Sequence, residues 1–224
     1  MEDQHLEIQA IEKVTHNVLR FTLEDSDEID FRSGQASEVA IDKDGWRDKG
    51  RPFTFTSLPE ENQLEFTIKI YPDHEGVTNE LSKLQPGDHL ILKDVFGAIH
   101  YKGPGTFIAG GAGVTPFISI IRNLAESKEL EGNRLIFAND KEKDIINHEE
   151  FKSLLGENFL NVLAKEDKEG YAHGFVDKDY LKGALDSFDE YFYICGPPPM
   201  MDAVEEALTD LGVKEEQMIT EKFD

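Results

Sequence analysis

Residues 108–121 read IAGGAGVTPFISII. A short apolar run ends in Gly110 and Gly111, passes Ala112, Gly113 and Val114, and enters a helix-like pattern. Glycine lets a backbone approach a ligand closely and takes positive φ without steric cost. Thr115 can cap the helix, and Pro116 suits its first position. The free N–H groups and the helix dipole then face whatever lies beyond the strand, and an anion is favoured there. The stretch is not the G-x-G-x-x-G fingerprint, so a tight turn without a ligand stays open on these residues alone.

Downstream of this turn, strands and helices alternate. RLIFAN, FLNVLAK, YFYIC and QMITEKF read as strands. Helices are expected over 115–127, 147–155, 177–185 (starting at a capping Asp177) and 198–212, the last closed by Gly212. That grammar implies a parallel sheet covered on both faces. Ligands of such sheets bind beyond the carboxyl ends of the strands. The second loop to reach that edge is YICGPPPMM (193–201), which brings Cys195, Gly196, Pro197, Pro198 and Met200. Cys195 alone reads equally as a small buried hydrophobe.

Upstream the pattern differs. Residues 5–14, 17–24, 37–41, 52–57 and 64–71 are short, partly alternating, and rich in β-branched and aromatic residues, and another strand follows the Pro86-Gly87-Asp88 turn. Six or so antiparallel strands at this spacing suggest a small barrel. One helical stretch, VTNELSKL (77–84), interrupts them. Its start at Gly76, Val77 and Thr78 offers a second N–H cradle for phosphate, or an ordinary helix start. In RPFTFTS, Arg51 and Phe53 share a face and Thr54 follows. A cation, a ring and a hydroxyl suit a flavin, but a surface Arg beside a core Phe is the plainer reading. The strand 64–71 adds Ile68, Lys69, Ile70 and Tyr71 as candidate cofactor contacts. KGPG at 102–105 marks the boundary between a barrel domain, 1–102, and an α/β domain, 103–224.

The chain has 224 residues, 39% of them apolar, with 15 Phe and 6 Tyr, enough for two packed domains. No apolar run approaches the roughly 20 residues that span a bilayer, and the acidic start does not resemble a signal peptide. A single cysteine excludes an intrachain disulfide and a Cys-ligated iron–sulfur cluster, and fits a cytoplasmic, reducing compartment. With 46 acidic against 23 basic residues the net charge is −23. Nucleic acid and anionic membranes are therefore poor partners. The charge itself reads either as a solvated surface or as a dock for a basic redox partner. A monomer or weak dimer is expected, with no metal site.

Taken together and in order, RPFT, SGQ (33–35, with Gly34 and Gln35), GVT, GGAGVTP and CGPPPMM resemble the ferredoxin–NADP reductase superfamily over nearly the whole chain. Phe53 stands where the family usually has Tyr, which removes a hydroxyl from the flavin side. The resemblance implies bound FAD, with Arg51 neutralising its phosphate, Phe53 packed against the isoalloxazine, Thr54 near its reactive nitrogen, and Pro52 among the cofactor contacts. It implies a nicotinamide nucleotide on residues 110–116, with Cys195 beside the carbon that carries the hydride. Glu221 and Phe223 resemble an acid and an aromatic that many members place beside the flavin. Thr54, Cys195 and Glu221 are thus the candidate catalytic residues. The implied activity is hydride transfer from NAD(P)H to FAD, then electron transfer to an acceptor, such as a small redox protein, free flavin, a ferric chelate or oxygen. A flavin-binding electron-transfer subunit, or a nucleotide-binding module without activity, are the alternatives.

NADH is the expected donor and NADPH the alternative. The second strand of the α/β domain ends in Asn139 and Asp140, and residues 136–151 contain no Arg to hold a 2′-phosphate. Asp140 would repel such a phosphate. Lys141 and Lys143 argue the other way, with Glu142 and Asp144 beside them to offset their charge.

Overall fold

The computed structural model describes residues 3–24, 29–97 and 99–221. Strands β1 (Gln4–Thr15), β2 (Val18–Leu23), β3 (Ala36–Ile41), β4 (Arg51–Thr54), β5 (Leu64–Lys69) and β6 (His89–Phe96) form one antiparallel sheet in the order β4-β3-β6-β1-β2-β5. The two edge strands meet through a bridge between Phe55 and Phe66, and the Thr56 N–H donates to the Glu65 carbonyl at 2.8 Å. These contacts close the sheet into a barrel and leave no edge open there. Alternate residues point inward, so Ile8, Phe21, Phe66 and Leu90 make the core, with Phe31 stacked on Phe55 at 4.1 Å between ring centroids. Helix α1 (Val77–Leu81) has only five residues, shorter than the stretch 77–84 anticipated for it.

The second sheet is wholly parallel. Its elements run β7 (Gly105–Gly110), α2 (Thr115–Glu126), β8 (Arg134–Asn139), α3 (His148–Leu155), β9 (Phe159–Leu163), β10 (Ala172–His173), α4 (Lys178–Ala184), β11 (Tyr191–Cys195), α5 (Pro198–Asp210) and β12 (Met218–Thr220). The spatial order is β10-β9-β8-β7-β11-β12. All six residues of β7 are buried, as a central strand covered on both faces requires. Alternation sorts the two layers. Phe107, Tyr193 and Cys195 face the α2–α3 side with Phe117 and Ile121, whereas Ile108, Phe192 and Ile194 face the α4–α5 side with Leu181 and Leu208. Val18 and Ile99, from the first half of the chain, join the α2–α3 cluster, so the two halves share apolar packing.

Three local expectations change. Thr115 does not cap α2: a 3₁₀ turn over Gly111–Val114 runs straight into the helix, Val114 occupies the cap position, and the Thr115 hydroxyl donates back to the Ala112 carbonyl at 3.1 Å. Pro116 consequently falls at the second helical position. The two-residue strand β10 was not anticipated, because so short a segment shows no periodicity. The last strand ends at Thr220. Asp177, by contrast, caps α4 as anticipated, its side chain accepting from the Tyr180 N–H at 2.8 Å. Among the described residues no helix is long and apolar enough to cross a membrane, and no group of three or more His, Cys, Asp or Glu side chains is placed to hold a metal.

Candidate functional site

Strand β7 is followed outward by β8, β9 and β10 on one side, and by β11 and β12 on the other. The crevice beyond its carboxyl end is therefore the switch point at which open α/β sheets bind ligands. Two loops meet there. Gly111 takes φ +52°, which starts the 3₁₀ turn. A Cβ on Gly113 would collide with the Cys195 carbonyl, and one on Gly110 with the Met200 sulfur. These two glycines are thus required less by the turn than by the close seating of the 110–115 loop on the 195–200 loop.

Two clefts open at this junction. The smaller, about 470 Å³, lies between the barrel and the parallel sheet. Pro52, Phe53, Thr54, Ile68, Tyr71 and Thr78 line its barrel wall, and residues 110–113, Thr115, Cys195, Gly196, Pro197 and Pro198 its other wall. The larger, about 700 Å³, extends beyond the end of β8 past Asn139, Asp140 and Met200. The two share Lys69, Gly110, Gly111 and Pro197, so they adjoin at these residues. Lys69 is the cation common to both, with its Nζ 5.7 Å above the centre of the Tyr71 ring.

Most of the residues anticipated from sequence therefore come together, although some do not line the groove. Arg51 is exposed, and its guanidinium donates to the Gly50 carbonyl at 2.8 Å. Ile70 and Val77 are buried in the barrel core, Val114 in the α2–α3 cluster, and Pro116 within α2. Gly76 caps α1 with extended backbone and no side-chain hydrogen bond. Glu221 lies close enough to Cys195 for its charge to act on the thiol. Phe223 lies outside the described residues. Conversely, the groove gains residues that sequence reasoning missed. Thr67 joins the smaller cleft, while His16, Asn17 and Phe175 join the larger, where Lys141, Lys143 and Asp144, weighed from sequence for their charge, also lie. His16 and Asn17 come from the β1–β2 turn of the barrel. Phe175 is 74% exposed, an unusual position for a ring of that size.

Three electrostatic features bear on what the groove can hold. Cys195 is 4% exposed, and burial, aided by the Glu221 charge, pushes its thiol pKa up to about 12. It stays protonated at neutral pH and is not a thiolate nucleophile. Asn139 is 8% exposed, and its buried Nδ2 has no hydrogen-bond partner in the protein. A donor left buried and unpaired costs about 1–3 kcal/mol, which a ligand in the larger cleft would recover. Asp140, at the lip, pairs with Lys165 at 2.9 Å. A groove with an aromatic and hydroxyl-bearing wall, a bridging lysine, a glycine cradle and an unpaired amide donor fits a flavin packed against a dinucleotide.

Comparison with known proteins agrees with this geometry. Residues 5–101 match the oxidoreductase FAD-binding domain family, and residues 107–206 the oxidoreductase NAD-binding domain family. The chain is 28% identical over 210 residues to the anthranilate 1,2-dioxygenase electron transfer component of Acinetobacter baylyi, covering 88% of this chain and 59% of that protein. It is 28% identical over 235 residues to NADH-cytochrome b5 reductase 1 of Aspergillus oryzae, covering 94% of this chain and 80% of that one. The fold matches the flavohem-like FAD/NAD binding domain of nitric oxide dioxygenase from Vibrio cholerae with a TM-score of 0.87, at 20% identity and 98% coverage of both chains. With an FAD-binding domain, an NAD-binding domain and the two-domain architecture that unites them, the chain belongs to the ferredoxin–NADP reductase superfamily.

Proposed function

We propose that this chain is a flavin-dependent reductase that takes hydride from NADH onto FAD and hands electrons to a separate acceptor, a small redox protein. The observation that carries this reading is the meeting of the two clefts at shared residues. A flavin against Phe53, Thr54 and Tyr71 and a nucleotide along residues 110–115, Asn139 and Asp140 would meet where Lys69, Gly110, Gly111 and Pro197 are shared. The domains divide, in this reading, at residues 102 and 103.

When bound, FAD supplies the chemistry of accepting a hydride and releasing single electrons. The chain's own residues orient and shield. Phe53 and Tyr71 offer flat apolar surface for the flavin ring, and the Thr54 hydroxyl faces its polar edge. Lys69 offsets diphosphate charge at the junction, and Arg51 meets the flavin phosphates from the surface. Cys195, neutral and compact in the wall of the smaller cleft, would pack beside a bound nicotinamide without taking part in a bond. Glu221 lies near enough to Cys195 to act on its thiol electrostatically. With both ligands bound, the walls would orient flavin and nicotinamide for close approach and exclude water.

NADH is the donor in this proposal. The acidic surface suits a basic acceptor protein, and the single thiol a reducing cytoplasm. A related reading has specific support. The chain spans 59% of the length of the dioxygenase electron transfer component it resembles, so it also fits the role of reductase module within a larger electron-transfer system. The test is anaerobic stopped-flow mixing of the purified protein with NADH. A yellow protein whose 450-nm band bleaches on mixing supports the assignment. A colourless protein, or a flavin that NADH leaves oxidised, rejects it.

A further inference from the structure

A partly buried charge cluster joins the barrel to the parallel sheet, and none of its members lines either cleft. Arg122 of α2 forks onto Glu150 of α3, with Nε to Oε1 at 2.6 Å and Nη2 to Oε2 at 3.0 Å. Its Nη1 crosses to the barrel and donates to Glu65 of β5 at 2.9 Å and to the Thr56 carbonyl at 2.8 Å. Arg20 of β2 crosses the other way, 3.3 Å from Glu65 and donating to Asn147 Oδ1 at 3.0 Å. Asn147, in left-handed conformation at φ +52°, donates to Glu150 at 2.8 Å. One turn earlier on α2, the Ser119 hydroxyl donates to the Ser57 carbonyl at 2.9 Å.

Stability alone is a weak reason for such a cluster, because desolvation offsets most of the Coulomb gain of buried ion pairs. Apolar contacts of Val18 and Ile99 already hold the halves together, but apolar contact is non-directional. A forked Arg–carboxylate contact, in contrast, fixes distance and angle. Its position matters. Thr56 is two residues, about 7 Å of strand, beyond Thr54. Arg122 is seven residues, about 10 Å of helix, beyond Thr115. Both ends of the clamp therefore belong to the segments that form opposite walls of the smaller cleft.

We propose that Arg122 is a positioning residue for hydride transfer: by tying α2 to Glu65 and Thr56, it sets the gap between the flavin-side strand end at Thr54 and the nucleotide-side loop at 111–115. This rests on the flavin and nucleotide assignment above. Misplacement of reacting groups by about 1 Å can cost about 100-fold in rate. Loss of the clamp should accordingly appear in the chemical step and not in ligand affinity.

The test compares the unaltered protein with Arg122→Met and Arg122→Lys, each with FAD bound, by stopped-flow flavin reduction over a range of NADH. The unaltered protein must bleach with NADH; if it does not, the functional assignment fails and not the clamp. Given that it does, Arg122→Met should lower the limiting reduction rate by about 10- to 100-fold. Its NADH dissociation constant should stay within about threefold, and the primary deuterium isotope effect should become strongly temperature-dependent. Arg122→Lys, which keeps the charge and loses the fork, should recover part of the rate. A limiting rate within about twofold of the parent in folded, flavin-loaded Arg122→Met overturns the proposal, as does a change confined to NADH affinity. Should Arg122→Met fail to fold, Glu150→Gln serves, since it weakens the fork and keeps its shape. A slower limiting rate then supports the clamp, and an unchanged one overturns it.

Discussion

Asp140 Oδ2 lies 2.9 Å from Lys165 Nζ across the lip of the larger cleft. Read from sequence alone, Asp140 repels a 2′-phosphate. In the folded chain its charge is shared with a lysine 25 residues away, while Lys141 and Lys143 line the same cleft. Both partners of the pair are more than half exposed, so the pair is a weak, salt-screened one. Preference for NADH should therefore be modest, with kcat/KM favouring NADH over NADPH by about 10-fold, equivalent to about 1.4 kcal/mol. Asp140→Asn should bring the two nucleotides closer together, and Lys165→Ala should push them apart. Steady-state kcat/KM with each nucleotide at low and high salt checks both directions.

Much of this groove was legible in the sequence, and most of the failures share a cause. Gly110, Gly111, Gly113 and the Cys-Gly-Pro-Pro-Pro run carry their meaning locally, in backbone freedom and in its restriction, so their place at one sheet edge followed from the strand–helix alternation. Alternation likewise foretold the barrel and the parallel sheet. What could not be read was whatever depends on two distant segments meeting. His16 and Asn17 look like an ordinary hairpin turn until the barrel is docked on the second sheet. Glu65, Arg122 and Glu150 are three charges among many until folding brings both carboxylates within 3 Å of the Arg122 guanidinium. Thr115 failed as a cap for a local reason: a 3₁₀ turn had already satisfied the start of the helix.

Cys195 gives a prediction with a definite sign. Its folded thiol ionises near 12, against 9.0 for an unperturbed thiol, because burial disfavours the thiolate and Glu221 adds to that effect. A raised folded pKa means that the group's contribution to stability is present below about pH 9 and is lost as pH climbs from there towards 12. At pH 7–8 the native protein should resist iodoacetamide, and labelling should follow global unfolding. Cys195→Ala should keep its flavin and slow hydride transfer by about tenfold, as befits a packing partner of the nicotinamide rather than a nucleophile. An unchanged rate in stopped-flow reduction would leave Cys195 as core packing alone.

Arg51 tests the barrel side. Its side chain is exposed and donates to the neighbouring Gly50 carbonyl, so in the proposed complex it meets the flavin diphosphate in contact with water. A hydrogen bond to a charged group contributes about 1.5–3 kcal/mol, and solvent exposure argues for the lower end. Arg51→Ala should therefore weaken FAD retention by roughly tenfold, measured by flavin fluorescence on dilution, and the loss should deepen as salt is lowered. The flavin released by acid should chromatograph as FAD; FMN alone would contradict the assignment of Arg51 and the Gly76–Thr78 segment to a diphosphate.

Phe175 offers the sharpest separation of binding from chemistry. It is 74% exposed in a chain whose other large aromatics are mostly buried, it follows Gly174 at φ +119°, and it borders the larger cleft beside Val176 and Ala138. Exposure of a ring of that size loses about 1.5–3 kcal/mol of burial, unless something flat covers it. A purine is flat, and aromatic stacking on a base contributes about 1–3 kcal/mol in other settings. Phe175 lines only the larger cleft and Thr54 only the smaller, so a contact on Phe175 would be the same in ground and transition states. Uniform binding of that kind changes KM and leaves kcat alone. Phe175→Ser should thus raise the KM for NADH by about 5- to 20-fold with kcat within about twofold, while Phe175→Trp should hold KM near the parent value. A fall in kcat with KM unchanged would move Phe175 from nucleotide binding to control of the chemical step.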